Sequence, residues 1–451
     1  MRSLIGRYLR PGSPVSDDPS MVSPEDAATA FRAKRSVLYL AGSLAGGNLV
    51  AMALRMVGCV LIGRLVAPAT LGLFTGIGLV LGYAPALQLG VLNGLNRELP
   101  FFVGKGDLQR VKELASAAQA WALVVGGAVC LALIGVAGWQ LAHNEMWKAA
   151  GWFTNGILAL FLFYSTYYLQ MTYRSAHDFA RLAFANVVET SVGLVLLVLV
   201  AFLSFYGLCI RLVLVSATSA LILYRWRPVR VGPKWNIRDL KHLLIIGAPI
   251  FGVGQVYSWW GGVINSTLVL KFAGTKGMGL YAMVLIATAS LDLIPQAVSQ
   301  VVYPRMAEQY GRSSSVRELV TIARRPMFIT AAFLVPVIIV AWAFVGPVTR
   351  LVVPAYAGAI PAMRWALLIP LVSSFQAINS VFNVARRQDL YIVAIVLGMV
   401  AYAGSLFLLT RHGVSLVAFP QAMLIGRAFY MVISYLFILR LRSKELARAA
   451  P

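Results

Sequence analysis

Acidic residues are scarce in this sequence, with 16 Asp and Glu against 39 Lys and Arg in 451 residues. All charged residues together make up 12%, about half the share of a soluble domain, which excludes an ordinary water-soluble globule. The three cysteines, Cys59, Cys130 and Cys209, all fall inside apolar runs. A thiol there acts as a small hydrophobe, so neither a disulfide framework nor a zinc site is expected. The four histidines, His143, His177, His242 and His412, are scattered without metal-ligand spacing, so no metal is expected. A Walker A loop is missing, which argues against ATP hydrolysis. No loop between apolar runs exceeds about two dozen residues, too little for an extramembrane catalytic domain. The sequence therefore reads as a protein that is not an enzyme and needs no cofactor.

What is present is apolar: 59% of residues are hydrophobic and the mean hydropathy is +0.78. A bilayer core of about 30 Å takes roughly 20 apolar residues as a helix, and such runs recur at 37–62, 69–94, 114–138, 147–171, 182–204, 206–224, 242–270, 278–303, 327–349, 356–384, 390–410 and 414–439. We refer to them as spans 1 to 12. All are read as helices, because continuous apolar runs of this length are not barrel strands and lipid tolerates no other backbone. The fold class is thus all-α integral membrane. Residues 1–36 hold four prolines and no apolar signal core and are read as a disordered cytoplasmic tail.

The net charge of +23 would suit nucleic acid only if gathered on a soluble surface. Here the basic residues alternate by side. With the N-terminus placed in the cytoplasm, 29 Lys and Arg fall on the cytoplasmic side, seven on the other and three within spans, which accounts for all 39. The positive-inside rule then puts both termini in the cytoplasm.

The basic stretch 225–241 divides the chain into two sets of six spans, 37–224 and 242–441, with a C-terminal tail at 442–451. Arg64-x7-Gly72-Leu73-Phe74 returns as Lys271-x7-Gly279-Leu280-Tyr281, and Gly104 as Gly311, both at an offset of 207 residues. An offset that covers six spans gives two halves of the same orientation, related by an axis along the membrane normal, with a central cavity between them.

Charges inside spans are costly and normally face a cavity or another helix. Arg55, about two-thirds along span 1, shares a helical face with Asn48. Arg211, Arg364 and Arg427 complete a candidate cationic cavity, with snorkelling to an interface as the alternative for Arg211 and Arg427. The only intramembrane carboxylates are Glu189 and Asp292, candidates for ion coupling. Polar stripes with Gln255 on span 7, Thr288 and Gln296 on span 8, and Gln376, Asn379 and Asn383 on span 10 would line a hydrated path, or else hold helices together. Aromatics crowd spans 4 (Phe161, Phe163, Tyr164, Tyr167, Tyr168) and 7 (Tyr257, Trp259, Trp260), as interfacial belts or as faces for a glycan.

Ile62-Gly63-Arg64-Leu65-x6-Leu71-Gly72-Leu73-Phe74, then Leu89-Gly90-x6-Arg97, the Gly104-Lys105-Gly106-Asp107 loop and Tyr168-x5-Arg174 resemble bacterial polysaccharide flippases of the multidrug/oligosaccharidyl-lipid/polysaccharide exporter superfamily. In length and span number the resemblance covers about residues 37–441. It implies two six-helix bundles in a V around a cavity that opens alternately to each face. The implied substrate is undecaprenyl-diphosphate-linked oligosaccharide for lipopolysaccharide, capsule or exopolysaccharide, its prenyl tail left in lipid between the bundles. The implied partners are membrane lipid, a polysaccharide polymerase and glycosyltransferases, and no nucleic acid. A multidrug exporter of the same superfamily and a non-transporting scaffold of a glycan-synthesis complex are the competing readings.

Overall fold

The computed structural model describes residues 50–449 apart from 52–53, 177, 314 and 386. The tail 1–36, Asn48 and the first part of span 1 lie outside the described residues. The described residues form helices and no strand. Eight stretches are long and apolar enough to cross a membrane by length and composition, and one of them, Phe251–Ser299, runs through most of spans 7 and 8.

Where the apolar runs predict uninterrupted spans, several helices are broken. Span 2 is Pro68–Tyr83, a 3-10 turn at Ala84–Gln88, and a second helix Val91–Gly104. The break falls at Pro85, which cannot continue the hydrogen-bond ladder, and at Leu89 and Gly90, both at positive φ. Span 4 carries a π-helical segment at Leu162–Leu169 and span 7 one at Trp260–Ile264. Span 10 is a chain of short helical pieces from Pro354 to Val384. Spans 5 and 6 meet at Ser204, whose φ of 47° and ψ of −112° reverse the chain inside the Leu197–Arg225 segment.

Both aromatic clusters are core elements. Phe163 and Tyr168 on the first π segment and Trp260 on the second are at most 1% exposed, so these rings fill the space that a widened helix turn opens toward its neighbours. Tyr164 and Tyr167 pack against the core of the first half and Tyr257 against that of the second while staying partly exposed.

The two halves meet along span 2. Pro68–Tyr83 packs against the outer part of span 7 and span 8, and Val91–Gly104 against Ile237–Trp259. The first contact is reciprocal: a Cβ on Gly72 would collide with the Thr275 carbonyl, and a Cβ on Gly279 with that of Pro68. Pro68 and Thr275, like Gly72 and Gly279, are 207 residues apart. Equivalent residues of the two repeats touch each other, as they must at a two-fold axis. At this end Arg64 also donates its Nε to the Val352 carbonyl (2.7 Å) and the Tyr356 hydroxyl to that of Val66 (2.9 Å).

At the opposite end, which carries the 225–241 stretch, the connection is packed and not a free linker. Val229, Val231, Leu240 and Leu243 join the core of the first half. Arg110 pairs with the buried Asp239 at 2.7 Å, and Glu98 with His242 at 3.0 Å. Arg110 and Gln109 also hold the exposed Glu113 carboxyl below the usual carboxylate range, the Gln109 hydrogen bond contributing most.

Candidate functional site

Span 1 ends as a helix over 54–65, on which Arg55, Cys59 and Ile62 stand at i, i+4 and i+7 and so share one face. Cys59 and Ile62 line an open cavity of about 460 Å³ between the halves, to which spans 2, 4, 6, 7 and 8 also contribute. Arg55 is exposed one turn below Cys59 on the same face. Across from it, Arg211 of span 6 adjoins the cavity-lining Leu212 and donates its Nε to the Gly193 carbonyl of span 5 at 2.7 Å. Among the described residues neither Arg55 nor Arg211 forms an ion pair. Neither arginine lines the cavity itself; each stands beside a lining residue, Arg55 one turn from Cys59 and Arg211 next to Leu212, and the interior is built mostly of Leu, Ile, Met, Val and Phe.

Thr75, Asn155 and Ser266 are the hydrogen-bonding side chains of the cavity wall. They sit singly in apolar runs, and no sequence pattern marks them. Two of them are already occupied: Thr75 Oγ1 donates to the Leu71 carbonyl and Asn155 Nδ2 to that of Gly151, each at 2.8 Å.

The remaining candidate cations lie elsewhere. Arg427 is inside the second half, where its Nη1 donates to Ser373 Oγ at 2.9 Å and pairs with Asp292 at 3.3 Å. Both side chains are nearly buried, and the second carboxylate oxygen of Asp292 has no hydrogen-bond partner among the described residues. Arg364 stacks on Trp342 of span 9, 4.5 Å from the ring centroid, and its Nε is buried without a hydrogen-bond partner. Glu189 is half-buried on span 5 and forms no ion pair with a described residue.

The polar stripes divide likewise. Gln255 and Gln376 are half-buried, Gln296 and Asn383 are exposed, and Thr288 donates to the Val284 carbonyl of its own helix. Asn379 is buried with its amide 3.7 Å from the Met431 sulfur. Asp292, which shares a helical face with Thr288 and Gln296, is therefore a bundle residue joined to spans 10 and 12, and the four arginines do not form one cluster. Among the described residues no group of His, Cys, Asp and Glu could hold a metal ion.

A family model described as "Polysaccharide biosynthesis protein" matches residues 112–361. None of the curated proteins matches the chain. Among solved structures, the inward-facing conformation of a multidrug resistance MATE family transporter of the MOP superfamily superposes with a TM-score of 0.72 at 15% identity, over 89% of this chain and 96% of that one. An outward-facing conformation of such a transporter gives 0.65 at 15% identity, over 91% and 97%. A MOP superfamily transporter from Pyrococcus furiosus, described as having a binding pocket of reverse polarity that suggests a different function, gives 0.63 at 15% identity, over 90% and 95%. At such identities what is shared is the fold, two repeated helical bundles.

Proposed function

This chain belongs to the polysaccharide biosynthesis protein family, and we propose on that premise that it flips undecaprenyl-diphosphate-linked oligosaccharide from the cytoplasmic to the periplasmic leaflet by alternating access. The observation that carries this reading is the pairing of Arg55 and Arg211, uncompensated, with an apolar cavity between the halves. A diphosphate is anionic, and two guanidiniums at the edge of a water-poor cavity offset its desolvation: a unit charge pair at 4 Å is worth about 4 kcal/mol at an effective dielectric of 20. Guanidinium forks also match phosphate oxygens in geometry.

The multidrug reading predicts the opposite sign, because a cationic drug needs acidic walls. The transporter described as having a reverse-polarity pocket illustrates that pocket charge separates functions within this fold. Lipopolysaccharide, capsule or exopolysaccharide pathways would use this activity at the inner membrane, with both termini cytoplasmic and with polymerase and glycosyltransferases as neighbours.

In proteoliposomes loaded with lipid-linked oligosaccharide, Arg55→Ala and Arg211→Ala are each expected to lower translocation at least tenfold at normal protein level. Full activity in both would overturn the reading, and activity confined to cationic drugs would favour the exporter. Exchange of H⁺ or Na⁺ rests on Glu189 and Asp292, of which Glu189 is the stronger candidate, since Arg427 already neutralises Asp292. Unchanged transport in the Glu189→Gln/Asp292→Asn double variant removes this coupling.

A further inference from the structure

The cavity between the halves is unsuited to sugar. A glycan brings many hydroxyls, each of which costs free energy if it leaves water without a new hydrogen bond. The cavity wall offers only three hydrogen-bonding side chains, Thr75, Asn155 and Ser266, and two of them, Thr75 and Asn155, already donate to carbonyls of their own helices. Around them stand Ile62, Leu71, Phe74, Leu79, Val263 and Ile286, with methionines at 278 and 283. The charge is not inside this space but at its edge, at Arg55 one turn below Cys59 and at Arg211 beside Leu212. The site is therefore polarised, cationic at its margin and apolar within.

We propose that the cavity takes the isoprenoid segment next to the diphosphate of the lipid carrier, while the diphosphate lies against Arg55 and Arg211. The assignment rests on the flippase reading and changes one part of it: the first isoprene units are gripped by protein, and only the remainder of the tail stays in lipid. At about 460 Å³ the cavity falls among small-molecule sites of about 300–1,000 Å³, so it accepts a short stretch of chain and not a whole carrier.

The test uses the full chain in nanodiscs, with empty nanodiscs of the same lipid as the blank, and measures binding of prenyl diphosphates of five, ten and fifteen carbons. Burying even two further methylenes is worth about tenfold in affinity, so the fifteen-carbon ligand is expected to bind at least tenfold more tightly than the five-carbon one. Ala282→Phe, which fills the cavity, is expected to bring that ratio within about threefold. Gly78→Leu is a second filling variant, since a Cβ at Gly78 meets only Asn155 Oδ1, at 4.0 Å. A ratio that is flat in the unmodified protein, or equally steep in both filling variants, overturns the cavity assignment. The flippase reading fails separately: Arg55→Ala/Arg211→Ala would then bind every prenyl diphosphate as tightly as the unmodified protein.

Discussion

Arg427 and Asp292 show what a buried charge demands of its surroundings. Each would be costly alone in an apolar bundle, and the two are held together with the Ser373 hydroxyl at 2.9 Å. Removing one partner leaves the other uncompensated, so Arg427→Met is expected to cost roughly 3–5 kcal/mol, while the Arg427→Met/Asp292→Leu double variant recovers most of it. Thermal unfolding in detergent reads both, and a double variant no more stable than the single one would show that the pair is more than mutual neutralisation. Sequence reading identified both residues as expensive, but i, i+4 spacing on span 8 relates Asp292 only to its own helix. Its partner lies 135 residues away on span 12, and no local pattern encodes that distance. Arg55 was legible for a different reason: a charge about two-thirds along an apolar run is costly in lipid whatever it meets, which marks it from the sequence alone.

Among the elements, span 2 carries the contact between the halves, and Gly72 and Gly279 set how closely they approach. Because a Cβ on either would collide with a backbone carbonyl of the other helix, a backbone shift is the only relief. Gly72→Ala and Gly279→Ala are each expected to separate the halves at this end. Cysteine-accessibility labelling at Cys59 would report the change as faster modification, and a labelling rate equal to that of the unmodified protein would contradict it. The repeat at 207 residues already singled out both glycines. What it left unsaid is that they touch, since a repeat gives equivalence and only assembly about an axis gives contact. The interruptions of spans 2, 4, 7 and 10 were also hidden, because hydropathy is blind to whether a carbonyl bonds four or five residues on. Pro85 in span 2 and Pro361 and Pro370 in span 10 were visible signals, whereas the π segments at 162–169 and 260–264 have none.

For the molecule as a whole, the two ends are fastened differently. One end closes through backbone contact and the Arg64 and Tyr356 hydrogen bonds, the other through side chains, with the Arg110–Asp239 ion pair and the Glu98–His242 contact tying span 7 and its approach to the first half. Asp239→Asn is expected to cost about 1.5–3 kcal/mol, the worth of a hydrogen bond to a charged group, and to speed proteolysis within 226–236. Unaltered cleavage kinetics would mean that the packing of Val229 and Val231 holds this segment without the ion pair. By itself the sequence determined that the chain is helical and membrane-embedded, that its halves repeat, and that its interior charge leans positive. Those properties follow from composition, hydropathy and the repeat at 207 residues, which bilayer thickness and the cost of buried charge translate directly into structure. Only the tertiary structure decided which arginines face a shared space, which are neutralised, and that the space between the halves is apolar. Those outcomes depend on helix pairings between residues far apart in the chain, where packing of side chains from six different spans, and not any one span's pattern, fixes what each residue meets.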